Sequence, residues 1–386
     1  MRMPTYGLNA WKSIVDDVYA DGGNLLILWV AGAFRSENYK MTWKYNSEHE
    51  NIKSDFLFQL IDYAHSKKIR IFLGFTPFGY DGVNQFAIDK PNLRAIGPDG
   101  KPVAPFGIGC WGYNLCPSKA ESQQFMMNYC NEMVSSYPNA DGLLVESSDY
   151  AICHCSDCGP NYFDKEFQFV KTLSEAVWAR KPESQIFVYP HYFTGVKVPG
   201  FGVNAAKQPF NPRWGLFFTP HSALPDSCLI KKAGKSIYWD DSPALRLPEQ
   251  VKRGALRASE IGVTCYVPSL ETFSFVSTHG EENSDWTKNR RQIPLGMGWL
   301  DKGHSPYREI PIQIQRMAYR EFTASPDLPL EDFKRKAALE IFGDDFNLQD
   351  VADLFDLQAI FAFRRTWCQP SPAVSRLRYD AMIASK

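Results

Sequence analysis

The chain has 386 residues and a formal net charge of −1, which excludes a broad electrostatic field for nucleic acid or an anionic membrane. Its 44% apolar and 22% charged residues are typical of a folded globular protein. The longest apolar run, 25–34, is about half of what a membrane-spanning helix needs. No apolar signal-peptide core follows the start, so the chain as it stands is expected in the cytoplasm, with a truncated start as the alternative.

Short apolar runs alternate with amphipathic helical patterns over the first 300 residues. The first helical pattern runs from Trp11 to Tyr19. Ser118 and Glu121 have the spacing of a capping box before a helix that ends near Pro138. Further helices are predicted over 57–64, 163–177 and 247–260. The apolar runs between the helices predict seven strands, at 24–30, 70–76, 142–146, 186–190, 215–219, 236–240 and 263–268.

The predicted strands are continuously apolar, which is typical of a parallel sheet in which both faces are covered. A polar or aromatic cluster follows each strand, as at the active face of a (β/α)8 barrel. We therefore predict an α/β fold of the TIM-barrel type. An open doubly wound sheet is the rival, but no Gly-rich phosphate loop follows the first strand.

Seven predicted strands leave one strand of an eight-stranded barrel unassigned. Because the chain opens on a helix, we expect a first strand upstream, which makes 142–146 the fourth strand and 263–268 the eighth. Residues 295–300 are the alternative source of the eighth strand. From His304 onward the pattern is helical. We expect a catalytic barrel domain over 1–303 and a helical appendage over 304–386.

Carboxyl groups at strand ends are candidates for glycoside hydrolysis, which needs one carboxyl as acid and another as nucleophile or base. Glu146 ends an apolar strand, where burial would keep it protonated at neutral pH. Glu271 ends the last strand, and Asp240 ends the strand before it. The alternatives are a structural ion pair for each glutamate and a helix cap or turn for Asp240.

Phe, Tyr and Trp make up 14% of the chain, which indicates either a large aromatic core or a sugar-binding cleft. A flat ring packs well on the apolar face of a pyranose. Arg35 is a candidate clamp for an acidic sugar substituent, with a surface salt bridge as its alternative. The candidate substrate-binding residues are Trp29, Arg35, Asp149, His191, His221, Trp239 and Asp241.

Three of the nine cysteines, Cys153, Cys155 and Cys158, lie within six residues and have metal-ligand spacing. Zn²⁺ would need a fourth ligand, for which the candidates are His154, Cys116 and His191. Three free thiols in a loop are the alternative. We expect any zinc to be structural, and no cofactor to be required for catalysis.

Five segments carry a resemblance to a known family: NLLILWV (24–30), YNLCPSKAE (113–121), DGLLVESSDYAICHCSDCG (141–159), SIYWDD (236–241) and SPDLPLEDFKRKAALEIFG (325–343). The chain resembles bacterial (β/α)8 glycoside hydrolases near the family-20 hexosaminidases and the α-glucuronidases, and relatives with a C-x-C-x-x-C loop after strand four. The resemblance implies a catalytic acid at Glu146 and a second carboxylate at Glu271 or Asp240. The adjacent Asp-Glu pair of family 20 is absent, because Ser147 follows Glu146.

Three functions follow from these patterns. The first is a glycosidase that acts on a complex or acidic glycan, since unpaired carboxylates in one cleft are costly unless they are used. The second is a catalytically silent carbohydrate-binding barrel. The third is a zinc-bearing enzyme of the tRNA-guanine transglycosylase kind, which the net charge and the lack of a basic stripe disfavour. A glycan is the expected partner, without nucleic acid or membrane.

Overall fold

The computed structural model describes residues 8–30, 34–43, 54–79, 83–104, 112–147, 152–195, 206–219, 225–240, 246–268, 310–344 and 346–363. Seven strands form one parallel sheet in which each strand pairs with the next along the chain. They are β1 Leu25–Trp29, β2 Arg70–Phe75, β3 Gly142–Val145, β4 Gln185–Val188, β5 Trp214–Phe218, β6 Ser236–Asp240 and β7 Cys265–Pro268. The predicted parallel α/β fold and its seven strands are confirmed.

Helices alternate with the strands and cover one face of the sheet. Their amphipathic patterns bury an apolar stripe, as Trp11, Ile14 and Val15 do in the first helix. The described helices are α1 Leu8–Ala20, α2 Leu57–Ser66, α3 Val83–Phe86, α4 Ala120–Ser136, α5 Tyr162–Arg180, α6 His191–Thr194, α7 Ser227–Ala233, α8 Pro248–Ile261, α9 Ile310–Ala324, α10 Leu330–Phe342 and α11 Leu348–Phe363. None of them has the length and apolar composition needed to cross a membrane.

Aromatic contacts across the inner face show that the sheet curls into a barrel. Trp29 of β1 and Trp239 of β6 are five strands apart in the sheet, yet their ring centroids are 5.8 Å apart. Phe72 of β2 and Phe187 of β4 are in contact as well, at 5.2 Å. Side chains alternate between the two faces along each strand. The inner face therefore forms an aromatic barrel interior, and the outer face packs against the helices.

A cavity of about 500 Å³ lies between the edge strands β1 and β7. It is lined by Leu25 and Ile27 of β1, by Cys265 and Val267 of β7, and by residues of α1 and α9. Among the described residues neither edge pairs with a further strand. The cavity thus occupies the place of an eighth barrel strand. Residues 295–300 lie outside the described residues, so the source of that strand stays a prediction.

Helix α9 completes the helical layer between α8 and α1. The Arg316 guanidinium of α9 pairs with Asp17 of α1 at 3.4 Å and with Asp21, just after α1, at 2.7 Å. The helical character predicted after His304 is present in α9, α10 and α11. The division into two domains at residue 304 stays a prediction.

Candidate functional site

Glu146 lies at the carboxyl end of β3, between the ends of two neighbouring strands. Because Phe75, Val145 and Val188 are in register, the next residues, Thr76, Glu146 and Tyr189, stand side by side. The Thr76 hydroxyl donates to Glu146 Oε2 at 2.9 Å, and the Tyr189 hydroxyl donates to Oε1 at 3.2 Å. The Glu146 residue is only 8% exposed. Both carboxyl oxygens are thus held in place by hydroxyl groups from the neighbouring strands.

A continuous row of rings extends from Tyr189 around the barrel interior. Tyr189 meets Phe217 edge-on at 5.4 Å, and Phe217 stacks on Trp239 at 5.5 Å. Trp239 stacks in turn on Trp29 at 5.8 Å. Gly74 is required beneath Trp29, because a Cβ there would lie 2.7 Å from the indole. The two predicted tryptophans therefore belong to one aromatic wall that adjoins Glu146 through Tyr189.

A buried acid, Glu166 of α5, lies behind the site, and the sequence patterns did not identify it as a candidate. It accepts hydrogen bonds from the hydroxyls of Ser147 and Tyr192, and it is 0% exposed. Ser147 directly follows Glu146, so Glu166 fixes the backbone at the point where the chain leaves β3. The signal that was available is a lone carboxylate among the apolar residues of an amphipathic helix.

His191 begins α6, two residues beyond Tyr189. It is 1% exposed, and its ring packs against Phe163 at 4.8 Å and Tyr192 at 4.3 Å. Burial lowers its pKa to about 3, because the charged imidazolium is poorly solvated there. Neither ring nitrogen has a hydrogen-bond partner within the part of the chain that the structure describes. His191 is therefore a neutral imidazole at the carboxyl end of β4.

Asp240 lies on the opposite face of β6 from Trp239. Arg246 binds its Oδ1 through Nε at 3.0 Å and through Nη2 at 2.6 Å. The hydroxyls of Tyr266 and Tyr319 donate to Oδ2 at 2.9 and 2.8 Å. Burial raises the pKa of both tyrosines. This network joins β6, β7 and α9, and it directs the Asp240 carboxylate toward the helical layer.

Arg35 lies on an exposed segment after β1. Its side chain is 43% exposed and lies 3.8 Å from the Glu37 carboxylate, with its guanidinium over the Trp43 ring at 5.2 Å. These are the contacts of a surface ion pair, which is the alternative that the sequence left open. Its role toward substrate stays a prediction.

Four of the predicted site residues lie outside the described residues, and their assignments therefore stay predictions. They are the second catalytic candidate and three of the substrate-binding candidates, namely Glu271, Asp149, His221 and Asp241.

Cys116 joins the three cysteines of the C-x-C-x-x-C loop. The Sγ atoms of Cys116, Cys153, Cys155 and Cys158 all lie within 4.8 Å of one another. His154, the rival ligand from the same loop, is exposed. The structure thus favours Cys116 among the three candidates for a fourth ligand.

The capping box predicted before α4 does not form. The helix begins at Ala120, and its N-cap residue, Lys119, makes no side-chain cap. The Ser118 hydroxyl instead lies 2.9 Å from Cys116 Sγ, and Glu121 pairs with Lys90. Contacts with the cysteine cluster and with Lys90 have replaced the expected local ones.

No family model and no curated protein matches the sequence. In structure the chain is similar to an O-GlcNAc hydrolase of Thermobaculum terrenum, with a TM-score of 0.51 and 10% identity over 100% of this chain and 75% of the other. It is also similar to a chitobiase of Flavobacterium johnsoniae, with a TM-score of 0.48 and 11% identity over 92% of this chain and 50% of the other. A third similar structure is an enzyme targeting pectin rhamnogalacturonan II, with a TM-score of 0.44 and 13% identity over 86% of this chain and 40% of the other.

This chain therefore spans half or less of the length of the last two proteins. At these identities the likeness concerns the fold alone. The similarity to the O-GlcNAc hydrolase structure places the chain among the (β/α)8-barrel-type α/β folds.

Proposed function

We propose that the protein is a glycoside hydrolase in which Glu146 acts as the general acid. One observation carries the proposal: a buried carboxyl group, anchored at both oxygens, stands at the carboxyl end of a barrel strand beside an aromatic wall. In barrels of this type, side chains at the carboxyl ends of the strands carry out the chemistry. A pyranose that stacks on the wall would bring its glycosidic oxygen toward Glu146.

The reaction needs a second carboxylate across the scissile bond. We assign it to Glu271, which follows β7 in the sequence, as the nucleophile or as the base that activates water. A separation of about 5 Å between the two carboxyl groups would give retention of configuration, and about 6.5–9.5 Å would give inversion. Asp240 is the reserve candidate, but its contacts favour a structural role.

The substrate class is a complex or acidic glycan. The similar fold of an O-GlcNAc hydrolase makes aryl N-acetylhexosaminides the first substrates to test. Aryl hexosides and glucuronides come next, with Arg35 as the proposed contact for a carboxylate on the sugar. Asp149, His221 and Asp241 are further proposed contacts. Hydrolysis by this scheme needs no cofactor.

The experiment is hydrolysis of this substrate set by the wild type, Glu146→Gln and Glu271→Gln. Loss of a general acid typically costs about 10²–10⁴ in rate, because the leaving oxygen departs unprotonated. Glu175→Gln, on the exposed face of α5, is the matched control and should retain the wild-type rate. Undiminished turnover in either site variant would remove that residue's assigned role. If the wild type binds glycans without cleaving any, the silent binding barrel is the better interpretation.

A further inference from the structure

A cluster of four cysteines lies outside the machinery proposed for hydrolysis. Cys116 precedes α4, while Cys153, Cys155 and Cys158 belong to the connection between β3 and α5. Cys116 Sγ lies 3.7 Å from Cys155 Sγ and 3.6 Å from Cys158 Sγ. All four thiols are free, so disulfide bonds do not account for their approach.

We propose that these four cysteines bind one Zn²⁺ ion in a closed tetrahedral site. A Zn–S bond of about 2.3 Å places two sulfurs of a regular tetrahedron about 3.8 Å apart. The two separations from Cys116 are close to this value, and no pair in the cluster exceeds 4.8 Å. Thiolates are soft ligands that favour zinc over hard cations such as Mg²⁺. Four protein ligands leave no position for a reactive water, so the zinc is structural.

The surroundings of the cluster support thiolate ligands. Cys116, Cys153 and Cys158 are buried and Cys155 is half-buried. The Ile96 backbone N–H donates to Cys153 Sγ at 3.4 Å, and the Ser118 hydroxyl lies 2.9 Å from Cys116 Sγ. Donors aimed at ligand sulfurs are the usual outer shell of a metal–thiolate site.

Main-chain hydrogen bonds fix both arms of the site to the same backbone segment. The Cys116 N–H donates to the Leu93 carbonyl at 2.8 Å, and the His154 N–H donates to the Ile96 carbonyl at 2.6 Å. Zinc would connect residues 42 positions apart, from Cys116 to Cys158. The connected loop begins just after Glu146 and Ser147, so the ion would hold the chain that leaves the proposed site.

The test is elemental analysis of the full-length protein purified without added metal, followed by titration with an organomercurial. We expect about one zinc per chain. The organomercurial should release this zinc in proportion to its reaction with the four cluster thiols. Cys116→Ser and Cys158→Ser should each lose most of the zinc. Cys228→Ser, which changes an exposed cysteine outside the cluster, is the matched control and should keep it. Cobalt substitution of the wild type should produce the visible absorption of tetrahedral thiolate-bound Co²⁺.

Several results would overturn the proposal: a wild type that contains no zinc and takes up none, iron in place of zinc, or zinc that stays in Cys116→Ser at the wild-type level. The titration and the cobalt spectrum use the wild type, so they decide the matter even if a serine variant does not fold. Neither measurement depends on hydrolysis.

Discussion

The carboxyl group of Glu146 is oriented by hydroxyls from the strands on either side. Thr76 follows β2, Tyr189 follows β4, and each hydroxyl reaches a different carboxyl oxygen. A carboxyl group held in this way cannot rotate freely, which keeps it at one distance from a substrate bound on the aromatic wall. Thr76 and Tyr189 are therefore positioning residues that act through Glu146.

Tyr189→Phe should lower kcat about 5-fold, because the lost hydrogen bond contributes about 1 kcal/mol to the orientation of Glu146. The check is a double-mutant cycle: in the Glu146→Gln background the same change should have little further effect. Tyr63→Phe, which removes a hydroxyl bound to Asp16 on the surface, is the control and should leave kcat unchanged. An equal loss in both backgrounds would show that Tyr189 does not act through Glu146.

His191 should make the protein less stable as the pH falls. Burial lowers its pKa to about 3 from 6.5, so the unfolded chain binds a proton that the folded protein excludes. The resulting stabilisation is fully present above pH 6.5 and is lost on acidification toward pH 3, at up to about 1.4 kcal/mol per pH unit.

Between pH 6.0 and 4.5 this loss amounts to about 2 kcal/mol. His191→Phe removes the titrating group and should reduce the pH dependence of the free energy of unfolding by that amount, as measured by urea denaturation. Equal pH dependence in the wild type and His191→Phe would contradict the assignment of a neutral buried imidazole.

Strand β6 presents its last two residues to opposite faces of the sheet. Trp239 stacks within the barrel interior, and Asp240 meets Arg246, Tyr266 and Tyr319 on the side of the helices. The Asp240 side chain is 6% exposed and the Arg246 side chain 25% exposed. This largely desolvated network connects β6 and β7 to α9.

Asp240→Asn should destabilise the protein by about 2–3 kcal/mol, because it leaves the Arg246 charge without its partner. The folded variant should keep a kcat near that of the wild type. Glu260→Gln, at an exposed ion pair with Arg257, is the control and should change stability by less than about 0.5 kcal/mol. Thermal unfolding and steady-state kinetics on the same preparations check both expectations. A 100-fold loss of kcat with unchanged stability would instead give Asp240 the second catalytic role.

The strands were predictable because buried parallel strands are continuous apolar runs. The segment NLLILWV is such a run, and it is visible in the sequence alone. The side of the sheet that Asp240 faces was predictable as well, since neighbours in a strand point to opposite faces. Trp239 and Asp240 are adjacent in one strand, so they cannot both face the barrel interior. This alternation is the signal in the sequence that separates the roles of the two residues.

Sequence patterns did not predict which residues distant along the chain come into contact. The spacing of Cys153, Cys155 and Cys158 indicated a missing ligand, but only the fold brings Cys116 to them across 42 positions from Cys158. Glu166 was missed for the same reason, because its partners Ser147 and Tyr192 belong to other elements. The capping box does not form because the Ser118 hydroxyl contacts the sulfurs of Cys116 and Cys155 instead, and Cys155 is 37 positions away along the chain.

At the scale of the whole molecule, the barrel brings together groups that are distant along the chain. Trp29 and Trp239 are 210 positions apart, yet they stack in one wall because the sheet curls around its interior. Glu146 adjoins that wall through Tyr189. The proposed hydrolysis therefore depends on whether this carboxyl group protonates a leaving glycosidic oxygen.

The most direct measurement is the dependence of kcat/KM on the acidity of the leaving phenol, for a series of aryl glycosides with the wild type and Glu146→Gln. If Glu146 is the general acid, the variant should lose about 10²–10⁴ in rate on weakly acidic phenols and little on strongly acidic ones, which leave without a proton. In a plot of log(kcat/KM) against the pKa of the leaving phenol, the slope for the variant should therefore be much steeper than the slope for the wild type. An equal loss across the whole series would contradict the assignment of Glu146 as the general acid.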